Sequence, residues 1–290
     1  MGAALPSFKL RCWHVVGFAA AAILIAIGLI PHRTRAQETS VQFNLLQPDL
    51  IEERLRRYAP ENVSRESNLK VLFQEAGCAG DLLMEQQIKR EKAPNVICTL
   101  PGKSESVILV GAHFDHVRVG DGVVDNWSGA GLLPSLFESL SGIPRRHTMV
   151  FVGFTAEEEG LVGSTFYANQ LSPQQIANIR VMVNMDSLGL GPTRLWLSHS
   201  DKEFANKLSA VANAMKLPFG VVDADRVGDE DSTPFKKHHI PTVMLHSITQ
   251  ETLSVIHTER DTLSAIRADD YYDSYHLIAE YLAYLDTRLD

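Results

Sequence analysis

The stretch Thr148–Ser164, TMVFVGFTAEEEGLVGS, joins two things that conflict. Its first seven residues, Thr148 to Phe154, form the near-continuous apolar run of a strand buried on both faces. Three carboxylates in succession, Glu157, Glu158 and Glu159, follow at its end. Adjacent like charges repel, and carboxylates at the end of an apolar strand lose solvation. Such a strand end needs cations or water beside it, and the rest of the chain points to cations.

Further buried runs of the same kind occupy Val107–Ala112 (VILVGA), Val181–Met185 (VMVNM) and Pro241–His246 (PTVMLH). Shorter strands are predicted at Leu83–Lys89, Asn95–Leu100, Arg194–Ser198 and Phe219–Val222. Apolar residues recur at helical spacing over Gln47–Tyr58, Glu66–Ala76, Ser128–Leu140, Leu161–Gln170, Asp201–Met215 and a closing helix, Ala268–Leu285. Buried strands alternating with helices predict an α/β fold: a three-layer α/β/α sandwich around a mostly parallel mixed sheet, forming a single catalytic domain over 47–290.

The chain has 290 residues, 45% hydrophobic and 21% charged, enough for one domain with a real core. Its formal charge is −8; removing the four cations of residues 1–36, which hold no acid, leaves −12 for the remainder. So acidic a body excludes a nucleic-acid binder, which needs a basic face. Within residues 1–36, Val15–Ile30 is uncharged and follows Lys9 and Arg11. Two readings fit. One is a cleavable export signal with small residues near Thr34-Arg35-Ala36. The other is an uncleaved membrane anchor over 15–30, the only membrane contact foreseen. Both place the body outside the cytoplasm, periplasmic or extracellular. Residues 37–46 read as a linker. Cys78 and Cys98 remain outside the leader, either as a disulfide or as two buried thiols.

In a parallel sheet covered on both faces, ligands bind outside the carboxyl ends of the strands. The polar residues that follow the buried runs should therefore belong together. VILVGA ends in His113-Phe114-Asp115, TMVFVGF leads to Glu157-Glu158, VMVNM ends in Asp186, and PTVMLH is followed by a loop holding His257. Asp125 lies in the glycine-rich loop GDGVVDNWSG. Two histidines and three carboxylates without a thiolate suit zinc or another borderline divalent ion. Five ligands exceed what one open four-coordinate site takes, whereas two ions sharing a carboxylate use all five.

The stretches GAHFDHV, VVDNWSGA, FTAEEEGLVGS, VNMDSLG and IHTERDT, in this order, resemble the co-catalytic zinc aminopeptidases, metallopeptidase family twenty-eight. The resemblance runs from about Asn95 to the C-terminus. It implies a di-zinc exopeptidase acting on peptides, most simply an aminopeptidase, with two Zn2+ as cofactors; other divalent ions are compatible. His113 and Asp186 would hold one ion, Glu158 and His257 the other, and Asp125 would bridge both. Glu157 would be the general base acting on a metal-bridging water. Asp115 would accept a hydrogen bond from the second ring nitrogen of His113, Asp261 would anchor its loop, and Glu159 would be solvated.

The chain departs from the family pattern at Trp127, where a small residue is usual. Its ring either lines the pocket mouth as a substrate contact or packs under the loop. The segment GDEDSTPF, Gly228–Phe235, lacks the family's histidine, and His116 reads as a pocket-wall residue. Two alternatives remain open: a glutaminyl cyclase-like enzyme with a single zinc, and an inactive ectodomain used for binding. Oligomeric state is not legible.

Overall fold

Strand β3 (Val107–His113) lies between two parallel neighbours, β4 (Thr148–Phe154) and β5 (Ile179–Met185). The computed structural model describes residues 41–222 and 228–289. The third parallel pairing joins β5 to β8 (Thr242–His246). These four strands are the apolar runs of the sequence, and their side chains alternate between two buried faces. Ile108, Val110, Val181 and Val183 enter the larger core; Leu109, Val152 and Met182 enter the smaller.

The flanks are mixed. On one side β1 (Leu83–Gln86) pairs antiparallel with β2 (Asn95–Leu100), which pairs antiparallel with β4. On the other, β6 (Arg194–Trp196) runs antiparallel to β8 and parallel to β7 (Gly220–Val222). The sheet order is β1-β2-β4-β3-β5-β8-β6-β7. The larger core contains residues of α1 (Pro48–Leu55), α2 (Asn62–Glu75), α4 (Leu132–Leu140), α7 (Lys202–Met215) and α9 (Ala268–Arg288). The smaller contains residues of α5 (Val162–Gln170), α6 (Pro173–Asn178) and α8 (Thr233–Lys237). With helices on both sides of a mostly parallel mixed sheet, the domain is the three-layer sandwich that the alternation of strands and helices predicts.

Several local expectations need correction. Of the expected linker 37–46, the described residues begin at Val41. Val41, Phe43 and Leu46 pack on the larger core, and Leu46 donates its N–H to the Tyr275 hydroxyl at 2.8 Å. The helix α6 was not foreseen, although its start carries a reciprocal cap: Ser172 Oγ accepts from Gln175 N–H, and Gln175 Oε1 accepts from Ser172 N–H. The strand expected over Leu83–Lys89 stops at Gln86, where the pairing register with β2 ends. Cys78 and Cys98 form a disulfide, with S–S 2.06 Å, tying the residues after α2 to β2. The export signal or anchor of residues 1–36 lies outside the described residues. Among the described residues, no helix is long and apolar enough to cross a membrane.

Candidate metal centre

Three of the five candidate ligands sit where strands run out. His113 is the last residue of β3, Asp186 directly follows β5, and Glu158 lies in the turn after β4. His257 belongs to the loop after β8, and Asp125 to the turn Val123–Trp127 that leads into the short helix α3 (Ser128–Ala130). The parallel register aligns these ends: His113 pairs with Phe154, and Gly111 with Asn184.

Asp125 stands between the two histidines. Its Oδ1 lies 3.2 Å from His113 Nε2, and its Oδ2 lies 3.1 Å from His257 Nε2. Glu158 Oε2 is 3.2 Å from His257 Nε2, and Asp186 Oδ2 is 3.6 Å from His113 Nε2. Glu157 Oε2 is further off, 3.9 Å from His113 Nε2. Ligand atoms bonded tetrahedrally at ~2.0–2.1 Å are themselves roughly 3.3 Å apart. The first four contacts match that edge. The buried His113 Nε2 has no hydrogen-bond partner, as suits a nitrogen aimed at an ion. Donor type and spacing thus fit zinc, with Asp125 offering one oxygen to each side.

The electrostatics say the same. Burial pushes the Glu157 carboxyl up to about 9, with His113 opposing and Asp231, Asp186 and Asp125 adding to the shift. Burial and Asp125 raise Asp186. Hydrogen bonds with Asp125 and Glu158 lift His257 to about 10. Burial opposes charge on His113, yet Glu157, Asp115, Asp125 and Asp186 hold it well above its usual value. Protons gather here because the carboxylates demand positive charge, and a divalent ion supplies it without proton uptake.

The scaffold around these ligands is specific. Three residues without the freedom of glycine take left-handed backbone at the site: Ala156 (φ 52°) before Glu157, Ser187 (φ 57°) after Asp186, and His257 itself (φ 57°). Each costs ~1–3 kcal/mol and persists only where the surroundings enforce it. Asn126 donates to Met185 O at 2.9 Å and accepts from Ser187 N–H at 3.2 Å and Gly129 N–H at 2.9 Å, so one amide fastens the Asp125 turn to the Asp186 loop. Ser128 Oγ donates to Val124 O and accepts from Leu188 N–H. The Asp125–Asn126 peptide is cis. At Gly122 (φ 56°), a Cβ would come within 2.3 Å of His116 Cβ, so the turn requires glycine.

Three expected placements are different. His113 Nδ1 lies nearer the Asp115 backbone carbonyl, at 3.2 Å, than the Asp115 carboxylate, whose Oδ1 is 3.6 Å away. The two carboxylate oxygens accept the N–H groups of Glu157 (3.0 Å) and Glu158 (3.2 Å), since the β4 turn presents both donors to them. Trp127 is not a substrate contact. It is fully buried under the turn, donates Nε1–H to Arg54 O at 3.2 Å, and packs 5.8 Å from the Arg65 guanidinium. His116 is not a pocket-wall residue: its ring packs on Gly122, with Nε2 3.1 Å from Pro60 O.

A cavity of about 1010 Å³ opens over the centre. Asp125, Glu157, Glu158, Asp186 and His257 line one part, and Met244, Ile248, Leu253 and Ile256 give it apolar surface. Glu230 also lines it, accepting from Asn184 Nδ2 (2.9 Å) and Ser232 N–H (2.7 Å), with His199 Nδ1 2.9 Å away. Asp231 is fully buried, and burial pushes its carboxyl up to about 8 against the pull of His113. Neither acid follows a buried apolar run in the sequence. They were legible in GDEDSTPF only as charges in an apolar context, a weak signal.

A probable leucine aminopeptidase 2 of Trichophyton verrucosum is 38% identical over 96 residues, 33% of this chain and 19% of that protein. The chain thus spans about a fifth of that relative's length. The LapA aminopeptidase of Legionella pneumophila shares the fold at a TM-score of 0.75 and 19% identity, over 84% of this chain and 73% of that one. A glutaminyl cyclase from an Acidobacteriales bacterium shares it at 0.69 and 20% identity, over 87% and 98%. The model of Peptidase family M28 matches residues 95–282, and the chain belongs to that family.

Proposed function

We propose that the protein is a zinc-dependent exopeptidase that removes residues from the amino end of peptides, with two ions held between His113, Asp186, Asp125, Glu158 and His257. The observation that carries this reading is the position of Asp125, one carboxylate oxygen 3.2 Å from His113 and the other 3.1 Å from His257. Two zinc ions bound there would acidify a water and polarise a scissile carbonyl. Glu157, beside the ligand set but furthest from His113 Nε2, takes the proton of the attacking water and delivers it to the leaving amine. Asp115 fixes the turn that carries Glu157 and Glu158 through both backbone N–H groups. Beyond the ligands, Asp229 and Glu230 add negative charge to the cavity, which favours a substrate ammonium over a substrate carboxylate. The apolar lining favours an apolar terminal side chain.

The test is a panel of aminoacyl-anilides, their N-acetylated forms and glutaminyl peptides, run with and without a chelator, alongside zinc content after dialysis. Hydrolysis of the free-amine anilides alone, lost with chelator and restored by zinc at two ions per chain, supports the proposal. Ammonia release from glutaminyl peptides by a chain holding one zinc would replace it with cyclase activity. Zinc-loaded protein inert toward the whole panel would leave a binding role.

A further inference from the structure

Arg65 lies on α2, outside every motif described above, and is fully buried. Its guanidinium donates to four backbone carbonyls in three separate segments. Nε donates to Ala59 O at 2.7 Å, Nη1 to Phe114 O at 3.2 Å and Gly122 O at 2.9 Å, and Nη2 to Asp121 O. Phe114 sits between His113 and Asp115. Asp121 and Gly122 begin the turn that presents Asp125. One planar fork therefore spans the end of β3 and the Asp125 turn, the two pieces of chain that must stay in register for an ion to meet both His113 and Asp125.

All four acceptors are neutral carbonyls, so the charge of Arg65 is not spent on a partner carboxylate. Burial lowers its pKa to about 10, with Asp261, Asp115, Asp121 and Asp125 pulling it back up, and it stays charged at neutral pH. A buried, uncompensated cation is expensive. It becomes favourable next to an excess of carboxylates, and the strand-end cluster supplies one. Lysine has no rigid fork with which to reach two loops at once.

We propose that Arg65 is a positioning residue for the metal centre: its guanidinium clamps the His113 and Asp125 segments together through their backbone carbonyls. The inference rests on the zinc reading, but its test needs no substrate. Cobalt(II) affinity and visible absorption are measured on the whole chain for wild type, Arg65→Lys and Arg65→Met, each at a temperature where circular dichroism shows it folded. Arg145→Met serves as a control, since Arg145 is also buried and donates to backbone carbonyls (Leu140 and Gln42). A purely structural arginine would change the melting temperature and leave the affinity of folded protein alone.

The expected result is an affinity loss of about 10–100-fold in both Arg65 variants, the size typical of outer partners of metal ligands, with altered absorption bands. Arg145→Met should bind cobalt as wild type does. Wild-type affinity and spectrum in folded Arg65 variants overturn the proposal. So does failure of both variants to fold at any temperature while Arg145→Met folds, which would make Arg65 a folding residue. A wild-type chain that takes up no cobalt defeats the metal reading itself, a separate outcome visible before any variant is compared.

Discussion

Asp261 holds Asp125 by its backbone: Oδ2 accepts the Asp125 N–H at 3.1 Å and Oδ1 accepts the Val124 N–H at 2.7 Å. The Asp261 carbonyl also accepts the Asp121 N–H at 2.7 Å. Asp261 lies four residues after His257, so it ties the loop that carries His257 to the turn that carries Asp125. An Asp261→Asn substitution turns one acceptor into an NH₂ that faces an N–H. Zinc affinity should drop about 10–100-fold, as for other outer partners of metal ligands. Competition with a chromophoric chelator measures it, and unchanged affinity would limit Asp261 to holding its own loop.

Glu157 lies against the ligand set, and Glu158 meets His257. If Glu157 handles the proton, Glu157→Gln should lower kcat by at least ~10²-fold, in the range of general-base loss. Zinc content by mass spectrometry should match wild type. A variant with wild-type turnover would remove Glu157 from the chemistry. A variant that loses zinc would make it a ligand.

His246 predicts a pH response away from the metal ligands. Its Nδ1 accepts the Ile248 N–H at 3.1 Å, so the ring is neutral, and burial followed by the nearby Arg194 lowers it to about 4. The unfolded chain binds this proton near pH ~6.5 and the folded chain does not. The unfolded state thus gains protons first as pH falls, and stability is lost from about pH 6.5 down to the folded value. Between pH 7 and pH 5 the loss is on the order of 2 kcal/mol. Urea melts in chelator should show His246→Gln less sensitive to pH than wild type by that amount. Parallel pH profiles would contradict it.

The disulfide closes a loop between residues 20 positions apart. Loop-closure entropy at this length contributes ~3 kcal/mol. Replacing both Cys78 and Cys98 by serine should lower the melting temperature by on the order of 5–10 °C. Calorimetry of the double variant checks this. Activity at low temperature should persist, because neither cysteine lines the cavity.

The strands were legible because strands buried on both faces write continuous apolar runs. Asn95–Leu100 and Thr148–Phe154 keep their predicted bounds, and β3 runs one residue longer, to His113. The candidate ligands were legible for a related reason: each follows such a run, and parallel strands bring their ends to one edge. Short helices were harder. α8 has five residues and too few turns to show a period. The role of Arg65 left no pattern at all, since its partners are carbonyl oxygens 6 to 57 positions away, and every residue has one.

Residue type and period therefore determined the layers, the acidic edge and which side chains are candidate ligands. Only the folded chain decided which way side chains turn around the site. Trp127 could line the cavity or lie beneath it, and the Asp115 carboxylate could reach an imidazole or the Glu157 and Glu158 amides. The same sequence allows both, because rotamers and turn conformations are chosen by packing and by the need to pair every buried polar group. Those demands exist only once distant segments meet.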